Sequence, residues 1–250
     1  MRPIAGFALC VALLVAGCSS AQDDSGADGV TVFAAASLKS TFTELGAQFE
    51  SDHPGSKVTF NFAGSSDLVA QLGQGAPADV FAPADTDSMT KAVDAGLVSG
   101  TPVDFAANTL TIVTPPGNPE GIMSFADLAR PGTQVVVCAP QVPCGSAAQK
   151  VEKAAGVTLT PVSEESAVTD VLGKITSGQA DAGLVYATDA AAAGDKVTAV
   201  PFPESAGAVN TYPIASLSAA PNPTAARQFI DLVTGPRGQD VLSAAGFVAP

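Results

Sequence analysis

One unit recurs along this chain and limits what it can fold into: a short apolar, β-branched run, a turn of small residues, and a helix that opens near a serine. Val30–Ala35 is the first such run. Ser37 then precedes Leu38, Phe42, Leu45 and Phe49, whose spacing puts them on one helical face. Ser37 is therefore expected at an N-cap, with its hydroxyl beside the unpaired N–H groups of the first turn. The unit returns at residues 58–62, which alternate like a strand, with Ala63-Gly64 as the turn and Ser65-Ser66-Asp67 leading into Leu68, Val69 and Leu72. Residues 79–82 read as a third buried strand and residues 88–95 as another helix, ended by Gly96.

A second block of the same kind begins near Leu110. It runs through strands at 134–138, 182–186 and 197–202 and helical stretches at 124–128, 145–155 and 167–177. Residues 212–215 are extended, and helices at 224–233 and 237–244 close the chain. Strands alternating with helices predict α/β layers around mainly parallel sheets, and the length of 250 residues accommodates two such lobes with a ligand cleft between them. Hydrophobic residues make up 46% and charged residues only 14%, so the composition is that of a folded chain.

Charge narrows the partners. With 24 Asp+Glu against 11 Lys+Arg the formal net charge is −13, which excludes nucleic acid as the default partner. Taken alone, it also argues against an anionic small ligand. The chain has no Trp and two Tyr, too few flat aromatic platforms for a sugar cleft.

The N-terminus reads as an address. Arg2 precedes an apolar run over residues 4–16 that is too short to span a bilayer, and small residues lead to Cys18. Residues 1–17 therefore read as a signal peptide. Ending at a cysteine, it resembles a bacterial lipobox, in which Cys18 becomes the lipidated first residue of an exported protein held on the extracytoplasmic face of the membrane. Residues 18–29 follow as the lipidated cysteine and a polar tether. Cys10 leaves with the signal, so Cys138 and Cys144 remain. Outside the cytoplasm, two thiols closing so short a loop point to a disulfide over a metal site, with two free thiols as the alternative.

Catalytic signatures are lacking. No HExxH, GxSxG, GxxxxGK or GxGxxG motif occurs, and the sole histidine, His53, stands before Pro54-Gly55 at a helix end. What recurs instead is a neutral donor at a helix start: Ser37, Ser65, the Cys144-Gly145-Ser146 opening and the Ser166-Ala167-Val168 opening. Such termini concentrate partial positive charge and take anions without Lys or Arg. Tyr186, ending an apolar strand, adds a phenolic donor to the same rim. These groups remove the objection that net charge raised.

At these residues the chain resembles a known family. Residues 31–38 (TVFAAASL), 62–66 (FAGSS), 75–81 (GAPADVF), 142–145 (VPCG) and 183–186 (GLVY) with Asp189-Ala190, together with Gly235-Pro236 and Gly246-Phe247, resemble the molybdate-binding proteins of bacterial ABC transporters. The resemblance implies a type II periplasmic-binding-protein fold whose lobes, crossed twice by the chain, comprise residues 30–109 plus 215–250 and residues 110–214. It implies a tetrahedral oxyanion, molybdate or tungstate, held by uncharged donors: hydroxyl and backbone N–H of Ser37 and Ser65, backbone N–H of Cys144 and Val168, and the Tyr186 hydroxyl. It further implies no cofactor, no direct protein ligand to molybdenum, a monomer, and delivery to permease subunits. Two positions depart from the family pattern. A Cys138–Cys144 disulfide would pin a donor loop, and Asp67 stands where relatives tend to have a neutral residue. The competing readings are a sulfate or phosphate binder, a secreted serine hydrolase using Ser37 or Ser65 with His53, and an adaptor or sensor lipoprotein.

Overall fold

The computed structural model describes residues 29–250. The signal peptide, the Cys18 lipidation site and the tether up to residue 28 lie outside the described residues.

Strand β1 (Val30–Ala35) enters a 3-10 turn (Ala36–Leu38) that continues directly into α1 (Lys39–Asp52). The apolar face of α1 is the one the spacing predicts, with Leu38, Phe42, Leu45 and Phe49 all buried. There follow β2 (Val58–Ala63), α2 (Ser65–Gly73), β3 (Val80–Ala82) and α3 (Thr86–Asp94). Helix α3 starts earlier than residue 88 because Asp85 caps it, its carboxylate accepting from Ser88 N–H at 2.9 Å. β4 (Val98–Asn108) is a strand that the apolar pattern does not announce, since Gly100 and Pro102 interrupt it and its first half is largely exposed.

The second lobe holds β5 (Leu110–Thr114), a 3-10 turn (Phe125–Ala129), β6 (Val135–Cys138), α4 (Pro143–Ala155) and β7 (Ser163–Glu165). It continues through α5 (Val168–Thr176), β8 (Ala182–Tyr186), α6 (Ala187–Ala193) and β9 (Thr198–Val200). The chain then returns as β10 (Asn210–Leu217) and ends in α7 (Pro223–Thr234) and α8 (Pro236–Ala244), each opened by a proline whose missing N–H costs a first turn nothing.

Two five-stranded sheets result, with orders β2-β1-β3-β10-β4 and β7-β6-β8-β5-β9. Each has a single reversed strand. β10 is antiparallel to β3 and β4, and β5 is antiparallel to β8 and β9, while the remaining pairings are parallel. The reversed strands are those entered as the chain crosses between lobes, once between Asn108 and Leu110 and once before Asn210. The boundary expected between residues 214 and 215 therefore falls too late. Residues 210–214 already pair with β4 in the first sheet. Pro213, which cannot donate to a ladder, obscures the start of this strand, and a register shift between Tyr212 and Pro213 lets the pairing continue past it.

Candidate functional site

Four helix starts and one strand end converge where the two sheets face each other. Ser37 lies inside the 3-10 turn before α1 and does not cap a helix. Its Oγ lies 3.0 Å from the Tyr212 hydroxyl. Ser65 is the first residue of α2 with Gly64 at the cap position, and its Oγ accepts from Ala84 N–H at 3.0 Å. The N-cap expected at Ser37 is thus corrected, and neither serine spends its hydroxyl on its own helix. Ser65 accepts from behind and so has a proton to offer forward, while in the Ser37–Tyr212 pair either hydroxyl can donate.

Cys144 is the second residue of α4, behind Pro143, and it is disulfide-bonded to Cys138 at the end of β6. The turn between them is tight: a Cβ on Gly145 would overlap the Ala139 carbonyl. Val168 opens α5. First-turn N–H groups have no partner inside their own helix, so the N–H groups of Cys144 and Val168 are available donors. Tyr186 ends β8 with its hydroxyl fully buried and without a hydrogen-bond partner. Burial, with the neighbouring Tyr212 and Asp85, pushes the Tyr186 phenol well above its ordinary range, so it keeps its proton.

Ser37, Ser65, Cys144, Val168 and Tyr186 line one cavity, together with small residues such as Ala36, Gly64 and Ala84. The lining contains no Lys, Arg, Asp or Glu. The cavity measures ≈ 20 Å³ to the centre of a water molecule. Widened by a water radius of ~1.4 Å, that is a space of about 3 Å radius, the size of a single tetrahedral oxyanion. A wider groove of ≈ 950 Å³ passes Ser37 between α1 and α5, lined by Lys39, Thr43, Leu172 and Lys196 among others. It is too open to surround a small ion.

Tyr212, on β10, is the residue that sequence reasoning missed. It is wholly buried, and its ring meets Tyr186 edge-on at 5.9 Å, so the two tyrosines of the chain sit together. Asp189 is also buried, and its carboxylate accepts from Tyr186 N–H at 3.1 Å. Burial pushes the Asp189 carboxyl up to about 7, against the lowering effect of that hydrogen bond.

Other candidates lie elsewhere. Asp67 is exposed in the first turn of α2 and outside the cavity lining. His53 stacks on Phe49 at 4.4 Å in a separate cleft with Asp52 and Arg237. It follows the C-terminus of the 14-residue α1, so it is roughly 20 Å from the helix start near Ser37. A Ser-His pair is not assembled here.

Residues 30–248 match the family model described as bacterial extracellular solute-binding protein. The chain belongs to the bacterial extracellular solute-binding proteins. Among relatives of this solute-binding protein, the molybdate-binding protein ModA of Mycobacterium tuberculosis (H37Rv) is 55% identical over 232 residues, covering 93% of this chain and 89% of that one. ModA of Escherichia coli K12 is 33% identical over 229 residues, 87% of this chain and 88% of that one. Among solved structures, the periplasmic molybdate-binding protein of Azotobacter vinelandii superposes with TM-score 0.77 at 25% identity, covering 88% of this chain and 99% of that one. The sulfate-binding protein SubI of M. tuberculosis shares the fold, with TM-score 0.71 at 23% identity over 88% of this chain and 86% of that one. The two-lobed type II architecture is common to these binding proteins.

Proposed function

We propose that this solute-binding protein captures molybdate, with tungstate as an equivalent ligand, in the cavity between its lobes and hands it to the permease of an ABC transporter. The observation that carries the reading is the buried Tyr186 hydroxyl, unpartnered and facing a cavity lined by Ser37, Ser65 and the helix starts at Cys144 and Val168, with no charged side chain. A buried O–H without an acceptor costs roughly 1–3 kcal/mol, and an anion in the cavity removes that cost. The relatives named for molybdate support the choice of ion.

The donors divide by lobe. Ser37 and Ser65 supply hydroxyl and backbone N–H groups from the first lobe. Cys144 and Val168 supply backbone N–H groups and Tyr186 its hydroxyl from the second. The helix starts stabilise the negative charge through their oriented peptide dipoles, and no cation is needed. A fully ionised dianion has only acceptor oxygens and is satisfied by such a lining, whereas hydrogen phosphate leaves its O–H without an acceptor wherever the serine hydroxyls are held as donors. Selection among ionised tetrahedral anions then falls to size. No bond is made or broken in this role, and Cys18 is the proposed lipid anchor that keeps the domain near the permease on the extracytoplasmic face.

The test is unfolding of the ligand-free protein against a panel of molybdate, tungstate, sulfate and phosphate. Ligand at a hundred times its Kd adds about 2.7 kcal/mol of stability, a clear rise in Tm. Molybdate and tungstate are expected to give that rise. A rise with sulfate or phosphate and none with molybdate or tungstate overturns the assignment.

A further inference from the structure

The cavity's two serines receive their rear hydrogen bonds from groups of different kinds. Behind Ser65 stands a backbone amide, Ala84 N–H, which can only donate. Behind Ser37 stands a hydroxyl, Tyr212, which can donate or accept. The sense of the Ser37–Tyr212 bond therefore decides whether Ser37 shows the ligand a proton or a lone pair.

Burial decides that sense. Tyr212 is wholly buried, and of the polar side chains around its hydroxyl among the described residues, Ser37, Asn108 and Tyr186, Ser37 is the one hydrogen-bonded to it, the Tyr186 hydroxyl making no hydrogen bond. The nearby Asn108 amide is engaged elsewhere, its Nδ2 donating to Thr188 Oγ1 at 2.8 Å and its Oδ1 accepting from Thr109 N–H at 3.0 Å. If Ser37 donated, the Tyr212 proton would be left inside the core without an acceptor. With Tyr212 donating, its proton is satisfied and the proton of half-buried Ser37 turns into the cavity. Burial also raises the Tyr212 phenol above its ordinary range, so it keeps a proton that needs an acceptor.

We propose that Tyr212 is a specificity-determining positioning residue: by donating to Ser37 Oγ it fixes Ser37 as a donor and so excludes protonated oxyanions from the cavity. The inference rests on the molybdate reading above. It assigns to a residue behind the cavity wall a discrimination that the lining residues alone do not enforce, because a free Ser37 hydroxyl would turn to accept from the O–H of hydrogen phosphate.

Tyr212→Phe tests this while keeping the ring among Phe105, Tyr186 and Phe247, so that the packing survives. Dissociation constants for molybdate, sulfate and phosphate are measured by calorimetry or competition near pH 8, where phosphate carries one proton. Tyr212→Phe is expected to weaken molybdate and sulfate by a common factor of about ten. Hydrogen phosphate is expected to be unchanged or tighter, so the molybdate-to-phosphate ratio narrows about tenfold or more. Ser65→Ala, whose rear donor is a fixed amide, should weaken all three anions and leave the ratio alone. An equal loss for all three in Tyr212→Phe, no change in any, or a loss for molybdate with phosphate binding still undetectable overturns the inference. If the unaltered protein binds neither molybdate nor tungstate, the proposed function itself fails and takes this inference with it. If the unaltered protein binds molybdate and only the ratio fails to move, the inference alone is lost.

Discussion

Asp189 shows how a single residue can serve a site it does not line. Its carboxylate holds Tyr186 N–H, fixing the end of β8 where the phenol enters the cavity, yet it does so from a position that is only 7% exposed. Its carboxyl is pushed up to about 7 from an ordinary value near 3.8. The native state therefore holds this proton more tightly than the unfolded chain does. Its contribution to stability is fully present below about pH 4 and is lost as pH rises through 7. Asp189→Asn keeps an oxygen for Tyr186 N–H and removes the titration. Urea unfolding from pH 4 to 8 is expected to show the parent losing stability relative to Asp189→Asn by on the order of 3–4 kcal/mol across that window. Parallel profiles would assign the slope to other groups.

At the scale of elements, Asp79 joins pieces of the first lobe that are far apart in sequence. Its Oδ2 accepts from Thr31 N–H of β1 at 2.8 Å and its Oδ1 from Asn222 N–H ahead of α7 at 2.6 Å. Its own N–H reaches Thr31 O, and its carbonyl accepts from Leu217 N–H of β10. Asp79→Ala leaves two backbone donors unpaired around a buried position and is expected to cost roughly 3 kcal/mol in chemical denaturation. The effect on the oxyanion affinity of the folded fraction should be small, because Asp79 is outside the cavity lining. The strand-to-helix units that carry the site were legible element by element: α1, α2, α4 and α5 all start within a few residues of the positions that apolar spacing predicts. β4 and β7 were not, since a glycine- and proline-bearing edge strand and a three-residue polar strand have no periodic apolar signal.

For the whole molecule, several contacts between the lobes border the cavity. Gly64 lies directly against the Ser166 carbonyl, Ser66 Oγ donates to Gln141 O at 2.8 Å, and Asn210 Nδ2 bridges Ala84 O at 2.9 Å and Pro143 O at 3.5 Å. A Cβ at Gly64 would overlap the Ser166 carbonyl, although the backbone there, φ −59° and ψ 139°, suits any residue. Gly64→Ala should consequently fold normally, with ligand-free stability within about 1 kcal/mol of the parent, while its lobes are wedged apart. Molybdate affinity is expected to drop on the order of tenfold or more, with small-angle scattering showing a wider ligand-bound particle. Unchanged affinity would mean that the lobes need not approach this closely to enclose the anion.

The sequence by itself determined the α/β alternation, the helix starts that carry Ser37, Ser65, Cys144 and Val168, and the strand that ends in Tyr186. These are local properties, written in apolar period, turn residues and small side chains within a dozen positions of one another. Only the tertiary structure decided that the five meet around one charge-free cavity of oxyanion size, that residues 210–214 return to the first sheet, and that Tyr212 stands behind Ser37. Those facts depend on pairings across long stretches of chain, the Ser37–Tyr212 bond spanning 175 positions. No local periodicity encodes such a contact, because it is set by how two sheets pack and where the chain crosses between them.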